Sequence, residues 1–303
     1  MNRPVTTGPV AVGVDGSAGG FAAVEWGAAE AAAHDVPLWL VCAGAAEPYS
    51  GGASGAGGAG AARAGARAGE HPWPPEQLSA AHRLAAELHP SLKITEDAVC
   101  AAPVKALLSA AEEASVLVLG SRGLGRIEGF VLGSVGLSVI AHARRPVVAV
   151  RGRAPAGVAA VRGPVVAGVD LREGTDDVLE FAFRTAAAEG RDVRVAHAWS
   201  VRALYSYPSA LPEPRMTARA EQRARQGLHE AVQPWRERFG EVGVQIRTEG
   251  EAVAPYLLEV GADAALLAVG RRLRGAPFPT RIGPVAHALL HHSPRPVAVI
   301  PHK

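Results

Sequence analysis

The chain repeats itself. Residues 10–15 read VAVGVD and residues 165–170 read VVAGVD. WGAAEAAAHDVPLWLVCA (26–43) is matched by AFRTAAAEGRDVRVAHA (182–198), SVLVLGSRG (115–123) by ALLAVGRRL (265–273), and RRPVVAV (144–150) by PRPVAVI (294–300). Asp15 thereby recurs as Asp170, and Gly120 as Gly270. A period of roughly 150 residues is far longer than the unit of any solenoid, so it means two copies of one domain. The length of 303 residues suits that: it is long for one hydrophobic core and comfortable for two.

Within each copy, apolar runs alternate with helical patterns. The first copy reads as strands 9–14, 37–43, 92–98, 116–119 and 146–150, with helices 18–34, 76–89, 103–113 and 133–143 between them. The second reads as strands 164–169, 192–198, 242–248, 265–269 and 296–300, with helices 175–189, 217–239, 252–260 and 283–292. Continuous Val/Leu runs separated by helices are parallel strands covered on both faces. Right-handed crossovers turn them into an open doubly wound sheet, so the fold class is α/β with two tandem Rossmann-like domains. We place the domains at 1–151 and 164–303, joined by a Gly-, Ala- and Pro-rich linker at 152–163. Residues 47–75, dominated by SGGASGAGGAGAARAGARAG, have almost nothing to bury and read as a mobile loop. It is either a dispensable insertion or a lid. The corresponding segment 200–216 carries Tyr205, Tyr207, Pro208, Pro212 and Pro214 and reads as a better ordered loop.

Composition excludes several classes. A formal charge of +2 is too small to argue for nucleic acid or an acidic membrane surface. No stretch approaches the ~20 apolar residues of a membrane span, and MNRPVTTGPV lacks an apolar core of signal-peptide length. Two cysteines, Cys42 and Cys100, give no disulfide framework, so a cytoplasmic protein is expected. They end or follow neighbouring strands, which leaves redox pairing open, but buried inert thiols are the default.

The chemistry concentrates in Leu119–Val135, LGSRGLGRIEGFVLGSV. A glycine loop leaves a strand and delivers Gly133-Ser134 to a helix start. Unhindered backbone N–H groups and the positive end of the helix dipole suit such a loop to phosphate. With the first strand beside the fourth, Asp15 and Gly120 meet at the carboxyl edge where ligands bind in doubly wound sheets. Ser134 then offers a hydroxyl and an N–H, Arg122 and Arg126 offer charge, and Asp15 faces the phosphates through Mg²⁺ or bonds a ribose. A second reading stands beside this one: glycines after a strand can mark a tight turn, and Asp15-Gly16-Ser17 suits a helix cap.

Gly120, Gly123, Gly133 and Ser134 form a G-2x-G-9x-G-[ST] spacing. With Val14-Asp15 at the first strand end, the chain resembles the tandem universal stress proteins of actinobacterial type. The resemblance covers both halves. It implies the adenine nucleotide alpha hydrolase-like fold, with five parallel strands in order 3-2-1-4-5 in each domain. It implies ATP, with Mg²⁺, bound between strands one and four by Val14, Asp15, Gly120, Ser121, Arg122, Gly123, Gly133, Ser134 and Val135, and adenine held by the backbone near Ala43. It also implies pairing of last strands, here Val147–Val150 with Val297–Ile300 in an internal pseudo-dimer, with a homodimer and an unidentified protein partner as further expectations. The spacing lacks the Lys of phosphate loops in nucleotide hydrolases, and no general base is identifiable, so at most slow ATP hydrolysis is expected. Cyclic AMP and a nucleotide-free interaction module are the alternatives.

The second copy departs from the signature. Gly270, Leu273, Gly283 and Pro284 stand at the matching positions, and Asp170 is followed by Leu171-Arg172. Leu273 is expected to project into phosphate space, and Pro284 deletes a hydroxyl and an N–H. This half is therefore expected to keep the fold and lose tight ATP binding. Arg271, Arg272, Arg274 and Arg281 read as a solvated basic loop or an anion cluster. His142 and His287 match between copies and read as surface or packing residues, as do Trp26, Trp39, Trp199 and Trp235 in the core or half-core; Trp73 reads as a loop anchor.

Overall fold

The computed structural model describes residues 8–44, 75–121, 132–152, 163–199, 214–250, 252–273 and 282–303. The first half runs β1 (Val10–Gly13), α1 (Ala18–Ala33), β2 (Leu38–Gly44), α2 (Pro75–Leu88), β3 (Ile94–Cys100), α3 (Pro103–Glu113), β4 (Val116–Ser121), α4 (Ser134–His142) and β5 (Val147–Arg151). The second runs β6 (Val165–Gly168), α5 (Thr175–Glu189), β7 (Val193–Ala198), α6 (Pro214–Arg238), β8 (Val244–Glu249), α7 (Val253–Val260), β9 (Leu266–Arg272), α8 (Pro284–His292) and β10 (Val297–His302).

Each half is a parallel five-stranded set in the expected 3-2-1-4-5 order, but the two sets form one sheet. The full order is β3-β2-β1-β4-β5-β10-β9-β6-β7-β8. At its centre β5 and β10 run antiparallel, with Val297 opposite Ala149, Ala298 opposite Val148 and Val299 opposite Val147. Both strands are buried Val/Ala runs, which is why they pair there and not at a solvated edge. The outer strands β3 and β8 instead hold only half-buried and exposed positions and carry charge at Glu96, Asp97, Arg247 and Glu249.

Helices cover both faces, and two cores result. One joins α1, α2, α5 and α6 to the sheet, centred on residues such as Trp26, Leu38, Phe183 and Leu228; the other joins α3, α4, α7 and α8, centred on Leu117, Ile140, Leu267 and Leu289. Among its described residues, the polar helix α6 buries a stripe, Ala224, Leu228 and Val232, at helical i+4 spacing. Near its end Trp235 and Phe239 pack on Phe183, with ring centroids 6.0 and 5.7 Å away.

Element limits depart from the sequence expectation in a few places. Helix α6 starts at Pro214, inside the segment expected as loop, because Pro is accepted in a first helical turn. Strand β9 extends to Arg272, held by the ladder of Ile300, Pro301 and His302 against Gly270, Arg271 and Arg272. Most of the expected loop 47–75 and of the expected linker lie outside the described residues, as does Trp73. Among the described residues, no helix is long and apolar enough to cross a membrane.

Phe183 is fully buried between α5 and α6. Phe183→Ala is expected to lower unfolding free energy by about 3–5 kcal/mol, measured by denaturant titration, because it leaves a cavity between two rings that cannot collapse together.

Candidate functional site

Two crevices open at the carboxyl edge of the sheet, one in each half where the strand order reverses. The first encloses about 480 Å³. On the β2 side its wall is largely apolar, from Val41, Ala43, Pro103 and Leu107; on the β4 side it is backbone-rich, from Gly120, Gly133, Ser134, Val135 and Gly136. Asp15 and Val14 sit between, with Gln77 of α2 across from them. The structure thus brings together Val14, Asp15, Ala43, Gly120, Gly133, Ser134 and Val135 of the expected set. Arg122, Gly123 and Arg126 lie outside the described residues. Ser121 is not among the cavity-lining residues; it is 1% exposed, packed beneath α1.

Of the helix starts at the crevice, that of α3 at Pro103 has no side-chain cap, and those of α1 and α4 differ. At α1, Ser17 is the cap, its Oγ accepting from Gly20 N at 3.0 Å. Asp15 Oδ1 holds that cap in place, accepting from Ser17 N at 3.0 Å and Ser17 Oγ at 2.5 Å. Gly16 between them has φ +74°, a left-handed turn suited to glycine. Asp15 therefore serves the local cap while its carboxylate lines the cavity. At α4, Gly133 is the cap residue and no side chain accepts from the first turn. Gly133, Ser134, Val135 and Gly136 at this start line the crevice, with the helix dipole behind them.

Gly120 also has a role that spacing alone does not convey. A Cβ there would fall 2.2 Å from the Gly19 carbonyl carbon and 2.5 Å from Gly20 N. The start of α1 lies directly on the end of β4, backbone on backbone, and this contact puts Asp15 beside Gly120. Gln77, Pro103, Leu107 and Gly136 complete the wall; α2 and α3 supply the first three without any local motif to announce them.

The second crevice is larger, about 940 Å³, and retains Val169, Asp170, Ala198, Gly270, Gly283, Pro284 and Val285 in matching places. Asp170 Oδ1 accepts from Arg172 N at 3.1 Å, repeating the Asp15 turn. Leu273 is not among the lining residues; its N–H donates to His302 O at 2.6 Å, so the expected intrusion of its side chain is corrected. What differs is chemistry: Trp199 replaces Gly44, Ala286 replaces Gly136, and Pro284 replaces Ser134. Where it is described, the basic run is strand and not loop, with Arg271 buried and Arg272 exposed. Arg271, 2% exposed, donates Nη1 to Ala141 O at 2.9 Å and Nη2 to Ala143 O, at the carboxyl end of α4 in the other half. Arg272 pairs with Glu173. Arg274 and Arg281 lie outside the described residues. Burial pushes the Arg271 guanidinium down from its ordinary value.

Both cysteines are free. Cys42 is buried and Cys100 exposed, so the inert-thiol expectation holds for the first and not for the second. Burial, with Asp15 adding to it, pushes the Cys42 thiol up. His142 and His287 are exposed on α4 and α8. Among the described residues, no group of three or more His, Cys, Asp or Glu could hold a metal.

This arrangement defines a class: tandem doubly wound α/β proteins with an uncapped helix start at a topological switch point. The chain belongs to the universal stress protein family, whose model matches it twice, over residues 7–151 and 162–301. A universal stress protein of Mycobacterium tuberculosis H37Rv is 30% identical over 312 residues, covering 99% of this chain and 96% of its own. Another, from Mycolicibacterium smegmatis, is 30% identical over 303 residues with 99% of both chains covered. Among solved structures, a universal stress protein of Archaeoglobus fulgidus superposes with a TM-score of 0.63 at 16% identity, covering 98% of each chain, and so shares the fold.

Two outcomes follow. Gly120→Ala should destabilise the chain by about 1–3 kcal/mol without any ligand present, because its methyl meets α1 backbone; denaturant unfolding checks this, and an unchanged midpoint would contradict it. An alkylating reagent at neutral pH should modify Cys100 in the native protein and Cys42 only after unfolding, as mass spectrometry of timed samples will report.

Proposed function

We propose that the chain is a nucleotide-binding stress-response protein that takes ATP in its first-half crevice. The observation that carries this reading is the α4 start. A helix start without a side-chain cap, Ser134 and the backbone of Gly120, Gly133 and Gly136 line one end of a cavity whose other end is apolar. A ligand with a planar apolar head and a polyanionic tail matches both ends. The cavity of about 480 Å³ lies within the roughly 300–1,000 Å³ of small-molecule sites.

A divalent cation would arrive with the phosphates, since the residues here offer one carboxylate, Asp15, and Mg²⁺ commonly binds through one or two carboxylates plus substrate phosphates. Asp15 Oδ1 is already shared with Ser17, so its part is to orient that cation or a ribose hydroxyl. Among the described lining residues the one carboxylate, Asp15, is already engaged by Ser17, so binding is the activity proposed. Nucleotide binding would stabilise the folded chain in proportion to ligand excess.

Size alone would favour the second crevice; its chemistry does not. Pro284 at the start of α8 carries no hydroxyl and no N–H, and Arg272 is engaged by Glu173. We therefore assign the tight site to the first half. Ser134→Pro copies the second half into the first while keeping a residue suited to a helix start. Calorimetric titration with MgATP should show one tight site per wild-type chain and at least tenfold weaker binding in Ser134→Pro, with little change in melting temperature. Unchanged affinity, or two equal sites in the wild type, would overturn the assignment. Cyclic AMP binding that exceeds ATP binding and ignores Ser134 would replace ATP as the ligand.

A further inference from the structure

Helix α4 supplies the start on which the first-half site is built, yet its hold on the core is slender. It has nine residues and is about 13 Å long. It buries Val139 and Ile140, and the rest are half-buried or exposed. Its start has no side-chain cap, and its last carbonyls need donors from outside the helix ladder. His142 stays local, with Nδ1 2.8 Å from Ser138 O. The donors at the very end come from the other half of the chain. Arg271, near the end of β9, gives Nη1 to Ala141 O at 2.9 Å and Nη2 to Ala143 O.

The register of Arg271 with Pro301 in the β9–β10 ladder fixes where its side chain leaves the sheet. A guanidinium so deeply buried is tolerated only where its charge is opposed and its donors are used. Among the described residues, both acceptors of this side chain belong to the end of α4, and its Nε is buried without a partner. A planar fork that spans two carbonyls fixes direction as well as distance. The matching residue of the first half is Ser121, which has no guanidinium to send back. Helix α8 is met instead by Arg151, through the single Nη2 contact on His291 O. The two-carbonyl grip therefore falls on the helix whose start keeps Ser134. We propose that Arg271 is a positioning residue for the nucleotide site of the opposite half. By gripping the carboxyl end of α4, it fixes where Gly133–Gly136 stand in the first crevice, and so sets how tightly that crevice holds phosphate. The inference rests on ATP binding in the first crevice.

The grip acts in two ways. A short helix moves as a rod, so a shift at one end displaces the other. The guanidinium also offsets the negative end of the α4 dipole, which leaves the positive end at the crevice less opposed. Both effects bear on the anionic part of a ligand. Adenosine carries the ring and ribose of ATP without the phosphates, so it draws on the apolar end of the cavity and little on the α4 start. Arg271 also lines the second crevice, beside Gly270 and Pro284. One residue thus joins the wall of one crevice to the helix of the other.

Calorimetric titrations of the full chain with MgATP and with adenosine test this in wild type, Arg271→Gln and Arg271→Lys. Arg271→Gln should weaken MgATP about fivefold and adenosine less than about twofold. Arg271→Lys returns the charge and one donor, so its MgATP affinity should fall between those of wild type and Arg271→Gln. Equal losses for the two ligands mark a general structural defect and overturn the proposal, as does unchanged MgATP affinity in Arg271→Gln. If Arg271→Gln yields too little folded protein, Arg271→Lys carries the same comparison between ligands. Hydrogen exchange without ligand reads the grip itself. Amides of Leu137–Ile140 should exchange about fivefold faster in Arg271→Gln, while those of α3 keep wild-type rates. Unchanged exchange in α4 refutes the grip whether or not nucleotide binds. A wild-type chain that binds no MgATP fails the site assignment itself, a result distinct from wild-type binding that Arg271→Gln leaves intact.

Discussion

The antiparallel ladder between β5 and β10 is the contact on which the rest of the molecule depends. Without it each half would present a bare Val/Ala edge with unpaired N–H and C=O groups, a template for unwanted pairing. With it, the two parallel sets become a single sheet of opposed directions, and everything on one half acquires a rotated counterpart on the other. On one face α1 is brought against α5; on the other, Arg271 reaches from β9 to the end of α4, and Arg151 reaches from β5 to His291 O of α8 at 3.4 Å. Each guanidinium thus meets the negative end of a helix from the opposite half. The ladder sets the geometry, and the crossed arginines hold the outer helices to it.

Much of the fold was legible because its signals are local. Val/Leu runs of strand length alternating with helical periodicity require covered parallel strands, and the observed limits fall mostly within a residue or two of those read from the pattern. The strand order came with the family resemblance and not from periodicity. The fusion into one sheet was foreseen only as pairing between last strands. The misread residues share a cause: their roles depend on partners distant in sequence. The run Arg271-Arg272-Leu273-Arg274 looks like a loop, yet the β10 ladder carries the strand through Arg272 and buries Arg271. Gly120 was read for phosphate, yet the backbone of Gly19 and Gly20 already requires a glycine there. Gln77, Pro103 and Leu107 sit on helices whose patterns say only that one side is buried.

The two crevices show how one backbone can hold unequal chemistry. Their walls match position for position along β1 and β6, β4 and β9, and α4 and α8. The helix dipole is the same in both. The difference lies in a few atoms: a hydroxyl and an N–H at Ser134 that Pro284 lacks, and an open position at Gly44 where Trp199 stands. A helix start attracts anions through its N–H groups, so deleting a donor weakens the site even when the cavity grows. Volume measures room, and the donors decide what the room can hold.

Tandem fusion also lets the two sides of the α1–α5 seam differ. In a dimer of identical chains, each residue near the two-fold axis meets its own copy, so a buried carboxylate there faces a second identical one. Here the register that matches Asp15 with Asp170 also matches Glu30 with Thr185 and His34 with Glu189. The two members of each pair are free to differ. Glu30 gains a hydroxyl donor from its counterpart position, and the second carboxyl moves one turn along, beside Arg191. Symmetry of the backbone brings the helices together, and asymmetry of the sequence sets the Thr185 hydroxyl against the buried Glu30.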